Sequence, residues 1–270
     1  MNQNKISAWC GELKALLRSI PSLTVSVFII AVFSMNLLAN KSVNLPFSWL
    51  ALDCGIIVSW IIFLCMDVVT RQFGPRAATL LSVAAIPVNL GMCALFFVGS
   101  RIPGVWGESF VEGEKMVINT ALDHTFGGTW YVLAGSSIAF LLSALVNNFT
   151  NWQIGMLLAR SARKNDGSVS GFANFACRSW VSTFIGQFVD NLTFALIVSR
   201  NFFGWTTLQC FTCALTGAAA ELLFEVVFSP IGYQICRNWK KEHVGEAYLK
   251  QYGVVIPEDG ILPAEGHAAA

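Results

Sequence analysis

Apolar residues run through this chain in long blocks separated by short polar segments. Six blocks reach the roughly 20 residues that a helix rising 1.5 Å per residue needs to cross about 30 Å of hydrocarbon. They lie at approximately 22–40, 48–69, 77–99, 129–151, 172–199 and 204–236, the last two long enough to tilt or bend. Ahead of them, residues 5–20 put Ile6, Trp9, Cys10, Leu13, Leu16, Leu17 and Ile20 on one helical face, with Lys5, Glu12, Lys14 and Arg18 opposite. That spacing predicts an amphipathic helix lying on the membrane surface. The first apolar run is full length and no small-residue cleavage site closes it, so it reads as a span and not as a cleavable signal. The pattern predicts an all-α polytopic membrane protein: an amphipathic segment over 1–21, a six-helix membrane domain over 22–239 and a tail over 240–270.

The basic residues orient these spans. With the amino terminus inside, Lys5, Lys14, Arg18, Arg71, Arg76, Arg160, Arg163, Lys164, Arg237, Lys240, Lys241 and Lys250 fall on the cytoplasmic side, against Lys41, Arg101, Lys115 and Arg200 outside. This bias predicts cytoplasmic termini at both ends. Trp49, Trp130 and Trp205 open helices on the outer side, and Trp152 and Trp239 follow helices on the inner side, as an aromatic belt would. The longest external segment, 99–128, reads as a lid or re-entrant piece, or as a surface helix over 111–123. From Gln251 onward, Pro257, Gly260, Pro263 and a closing alanine run predict a partly disordered tail.

Composition narrows the function. Hydrophobic residues make up 55% of the 270 and charged ones 12%, about half the share of a soluble domain, and the mean hydropathy is +0.60. A net charge of +1 gives no basic surface for nucleic acid. The eight cysteines lie mostly inside apolar runs and read as packing residues, Cys210-x-x-Cys213 included, because it has no second pair and no nearby histidine. His124, His243 and His267 fall in a loop and the tail. No metal site, cofactor or catalytic group is therefore expected.

The chemistry lies in the few polar groups at membrane depth, where an ionisable side chain costs at least about 2.5–3.5 kcal/mol unless it faces a cavity or partner. Asp67 and Arg71 stand four apart near the inner end of the second span, as an interfacial ion pair or as part of a translocation path. In the fifth span Arg178, Ser182, Gly186 and Asp190 line one face with Gln187 and Thr193, beside Asn191. That stripe is read as facing a lumen; its rival is a polar packing seam. In the sixth span Glu221 and Glu225 lie one turn apart on a face opened by Gly217 and three alanines. Counted from opposite ends of sequential helices, Glu221 and Asp190 fall at similar depth, which predicts a shared pocket between spans five and six with help from spans two and three. Pro87, followed by Asn89, and Pro230 interrupt helices and free carbonyls that can line a cavity.

These residues carry a resemblance. Phe63-Leu64-x-x-Asp67-x-x-x-Arg71-x-x-Gly74, Pro87 followed by Gly99-Ser100, Ser182-Thr183-x-x-Gly186-Gln187-x-x-Asp190-x-x-x-Phe194, and Glu225-x-x-x-x-Pro230-x-x-Tyr233 resemble, in this order and spacing, the vitamin uptake transporters that include the queuosine precursor transporters of bacteria. The resemblance implies import of 7-deazaguanines, 7-cyano-7-deazaguanine or 7-aminomethyl-7-deazaguanine, across the bacterial inner membrane, with the lipid bilayer and the small molecule as partners and a homodimer as an allowed assembly. The chain departs from it at Glu221, where the family commonly carries a basic residue.

Such a cargo suits the residues. A guanine-like ring offers a ring N–H and an exocyclic amine that one carboxylate can accept, and a flat face that stacks on aromatic rings. Asp190 and Glu221 are acceptors, Asn191 and Gln187 can serve the ring carbonyl, and Phe188, Phe194 and Phe224 supply faces. Asp67, Arg71, Asn89, Arg178 and Glu225 complete the candidate binding or translocation set. No phosphate-binding loop is present, so energy comes from a gradient, from trapping, or from a separate ATPase. The ATPase belongs to the alternative in which the chain is the substrate-binding membrane subunit of an energy-coupling-factor importer. An intramembrane enzyme is the remaining rival, without a nucleophile–base pair or a metal motif to support it.

Overall fold

The computed structural model describes residues 3–43, 45–107, 115–164 and 171–254, which form helices joined by short connections. They are α1 (Gln3–Ser19), α2 (Ser22–Leu38), α3 (Ile56–Phe73), α4 (Pro75–Arg101), α5 (Lys115–Lys164), α6 (Phe172–Phe194), α7 (Thr207–Lys241) and α8 (Glu246–Tyr252). α6 runs on through a π turn, Ala195–Ser199, into Arg200–Phe202. Helices α3 to α7 are each long and apolar enough to cross a membrane, and α2, at 17 residues, completes a sixth span when joined to α1 across a 111° bend. The chain is a polytopic all-α membrane protein.

Several boundaries differ from the apolar runs. The second span begins at Ile56 and not at 48, because residues 41–54 fold into an antiparallel bridge, Ser42 to Asp53. Val43 N–H donates to Leu52 O and Cys54 N–H to Lys41 O, each at 2.8 Å. The fourth span does not begin at 129. α5 starts at Lys115 and has 50 residues, about 75 Å of contour. Nothing between 115 and 126 breaks a helix, and Trp106 anchors the first turns, its N–H on Asn119 Oδ1 and its indole N–H on Asp123 Oδ1, both at 2.8 Å. His124 accordingly sits in α5 and not in a loop. Of the expected 111–123 surface helix, 115–123 is the start of this long helix; 108–114 lie outside the described residues. So do 255–270 of the tail, while Gln251 and Tyr252, placed in the tail by composition, close α8.

One end of the bundle is tied by the first and last described helices, α1 and α8. Gly74 alone separates α3 from α4, with φ +86°, a conformation that glycine adopts without strain. Beside this turn, Phe73 packs edge-on against Trp239 and Tyr248, and Gln72 donates to Val244 O. Trp239 is therefore core and not belt. Glu12, placed on the solvent side of α1 by its periodicity, is buried, because Arg76 of α4 pairs with it at 2.7 Å and the Tyr248 hydroxyl donates to it. Helices α1 and α8 thus meet at one end of the bundle. None of the eight cysteines is in a disulfide, and Cys210 and Cys213 are buried among the helices.

α5 packs along α6, and at Gly186 the space between α6, α5 and α3 is tight. A Cβ added there would lie 2.8 Å from Phe63 Cε1 and 2.9 Å from Asn147 Cβ. Gly186→Ala is expected to lower stability by about 1–3 kcal/mol through overpacking, read as a lower thermal midpoint in detergent.

Candidate functional site

The α2–α3 connection delivers the first carboxylate. The bridge at Ser42 and Asp53 turns the chain inward, and Gln209 and Thr212 of α7 fasten it by donating to the carbonyls of Ser48 and Trp49. Asp53, missed in the sequence as part of an apolar span, accepts from Gly55 N–H at 2.8 Å. It faces a partly open cavity, about 310 Å³ of empty space counting what opens to the outside, lined by Met35, Ala39, Asp53, Gly55, Ile56, Ser59, Ser136, Asp190, Asn191, Phe194 and Glu221. The cavity thus draws on α2, α3, α5, α6 and α7. The third span, α4, supplies none of its lining.

Three of its polar groups, Asp53, Asp190 and Glu221, are carboxylates, and Ser59, Ser136 and Asn191 add hydroxyls and an amide. Glu221 is buried on α7; Ser59 donates to its Oε1, whereas its Oε2 finds no partner in the chain. Asp190 Oδ1 accepts from Ser143 of α5 at 2.8 Å. Asn191 lies beside Glu221 and fits because α7 carries Gly217, where a Cβ would come within 2.7 Å of Asn191 Nδ2. Among the described residues no Lys, Arg or His lines the cavity. Among the described residues no group of three or more His, Cys, Asp or Glu converges as metal ligands would.

Below the cavity lies a second cluster. Asp67 of α3, fully buried, accepts from Asn147 Nδ2 at 2.9 Å and from the hydroxyls of Ser179, Ser182 and Thr183. Ser179 also touches Glu225 of α7. Arg178, 1% exposed, donates to Asn151 of α5 through Nε and Nη2. Arg71 stands over the Phe175 and Tyr233 rings, 5.1 and 5.7 Å from their centroids. Midway between cavity and cluster on α6, Gln187 is wholly buried with no partner at either amide atom. Buried polar atoms without partners mark places where water or a ligand completes the bonding.

The candidate residues therefore divide. Asp190, Asn191, Phe194 and Glu221 meet at the cavity; Asp67, Arg178 and Glu225 meet below it, with Gln187 between. Asn89 is buried in α4 away from the lining. Of the expected aromatic faces, only Phe194 reaches the cavity. Phe188 packs on Phe211, and Phe224 is 40% exposed and stacks on Trp60 at the bundle surface, because its position on α7 points away from Glu221.

α5 supplies what the sequence reading overlooked. Ser136, Ser143, Asn147 and Asn151 recur at three-to-four-residue multiples, one helical face. Each holds a different partner: Ser136 donates to Asn36, Ser143 to Asp190, Asn147 to Asp67 and Asn151 to Ser182. The signal was present as a polar stripe in an apolar run.

Comparison with curated proteins and with solved structures returns no match. A family profile does match, over residues 53–235. Those limits run from the cavity's first carboxylate through both polar clusters, covering more than half of the chain. The chain belongs to the family described as Putative vitamin uptake transporter, a family of membrane transporters.

Proposed function

We propose that the chain imports a queuosine precursor of the 7-deazaguanine type across the bacterial inner membrane, with both termini in the cytoplasm. The observation that carries the reading is the lining: three carboxylates, Asp53, Asp190 and Glu221, face one cavity that has no cationic side chain among the described residues. A cargo with a carboxylate of its own would be repelled. A donor-rich base supplies hydrogens to these carboxylates, its ring N–H and amine toward one of them and its face toward Phe194. Reading the donor edge occupies one carboxylate. The surplus favours 7-aminomethyl-7-deazaguanine, whose ammonium pairs with a second.

Calorimetry or competition with the purified chain tests this. A hypoxanthine-like analogue without the amine is expected to bind about 1–3 kcal/mol more weakly, and an adenine-like one more weakly still, because its unprotonated ring nitrogen would face a carboxylate. The aminomethyl compound should bind about tenfold or more tightly than the cyano compound. Equal affinity for guanine-type and adenine-type analogues would overturn the assignment. Uptake by vesicles that contain this chain alone separates a self-sufficient transporter from the subunit of an ATP-driven importer.

A further inference from the structure

Asp67 and Glu225 take no part in lining the cavity. Both are wholly buried, and the Ser179 hydroxyl lies between them, within hydrogen-bond reach of Asp67 Oδ2 and Glu225 Oε1. A serine hydroxyl has one hydrogen. It donates to one carboxylate. The second contact is attractive only when that carboxyl is itself protonated and donates to the serine oxygen; otherwise two lone pairs face each other away from water. The neighbouring donors do not make up the shortage, since Thr183, Ser182 and Asn147 all turn to Asp67 and none to Glu225.

An independent observation points the same way. Asn147 is fully buried, and because its Nδ2 is fixed on Asp67 Oδ1, its Oδ1 sits at the same cluster, where it finds no donor. Glu225 Oε2 has none either. The site is short of hydrogens and has acceptors to spare. Among the described residues its ionisable groups are few: Asp67 and the neutral Cys65 thiol on α3, Glu225 on α7 and Arg178 on α6, with Arg71 one turn further along α3 over its two aromatic rings. α5 brings Asn147 and Asn151 and no charge to it among the described residues.

We infer that Asp67, Ser179 and Glu225 form a proton-binding site, and that inward movement of the cargo is coupled to a proton taken up from the outer side and released inside. This deepens the transport reading above and rests on it. The proton arrives on water, forms an O–H bond to one carboxylate oxygen and leaves to water on the inner side; no other bond changes. Coupling has a short route. Glu225 is one turn from Glu221 on α7, and Gln187, with both amide atoms unpartnered, is one turn from Thr183 and one from Asn191 on α6.

Two measurements on the full chain in vesicles test the inference. Infrared spectra without any cargo should contain a deuterium-sensitive C=O band of a protonated carboxyl at neutral pH. The band should be lost in both Asp67→Asn and Glu225→Gln, because the remaining carboxylate then takes the Ser179 hydroxyl by itself. Ser179→Ala keeps both carboxyls and should shift the band, so the test survives if either amide variant misfolds. In uptake, an acidic exterior with choline in place of sodium should raise accumulation of labelled 7-aminomethyl-7-deazaguanine about tenfold per pH unit, and Glu225→Gln should lose that response. The inference is overturned by a band unchanged in all three variants, by wild-type uptake indifferent to the gradient, or by accumulation that follows sodium. A band lost in both amide variants without uptake of any deazaguanine would support the proton site and sink the cargo assignment.

Discussion

Glu221→Gln is expected to abolish saturable uptake of the deazaguanine while leaving the chain folded, and Asp190→Asn to do the same. Both substitutions keep the shape of the side chain. At position 221 the Ser59 hydroxyl can still donate to the amide oxygen, so the other end of the group, Oε2 in the native chain, becomes an NH2 that points its hydrogens at the cargo's own donors. Loss of a charge-assisted acceptor and its replacement by a donor removes about 3 kcal/mol or more, a hundredfold or more in Kd. Calorimetry on each variant, with circular dichroism to show retained helix, measures this. If Asp190 and Glu221 grip one cargo, the double variant should lose little beyond the worse single one, since residues that share a partner are not additive. Wild-type uptake rates in either single variant would remove the carboxylate from the mechanism.

The spans were legible because a membrane imposes one rule, about 20 apolar residues per crossing, and that rule leaves its mark in composition alone. What escaped was set by contacts between distant segments. Asp53 sits in an apolar stretch, and nothing local says that a bridge to Ser42 bends the chain and aims the carboxylate into the bundle. Glu12 has the spacing of a solvated residue, and only Arg76, 64 positions away, makes it a buried one. Phe224 shows the opposite error. Its neighbours Glu221 and Glu225 face inward, but at 100° per residue the positions between them turn to the bundle surface. The asparagines of α5 were visible as letters and misjudged as background. A neutral amide attracts less notice than a charge, yet here amides and hydroxyls hold the charges in place.

The largest expected loss of stability is at Arg178. Its guanidinium is 1% exposed, donates through two nitrogens to Asn151 Oδ1, and sits where Gly155 leaves room: a Cβ at 155 would lie 2.7 Å from Arg178 Cζ. Its charge acts on Asp67. Arg178→Ala strands that carboxylate in low dielectric beside Glu225 and takes two donors from Asn151 Oδ1, at a cost of about 3–5 kcal/mol. That is a large part of the 5–15 kcal/mol that holds a typical domain together. Arg178→Lys should cost less, since it keeps the charge and loses only the planar fork of donors. Gly155→Val should reproduce part of the loss by pushing the guanidinium aside, although it removes no charge. The cause can be isolated. If the stranded carboxylate is what destabilises Arg178→Ala, then Asp67→Asn in the same chain removes the charge and should restore about 2 kcal/mol, a coupling that thermal unfolding of the two single variants and the double variant in detergent will measure. A double variant whose loss equals the sum of the singles would mean that Arg178 acts through Asn151 and packing alone, and that the buried cluster is held by shape and hydrogen bonds with its charges uncoupled.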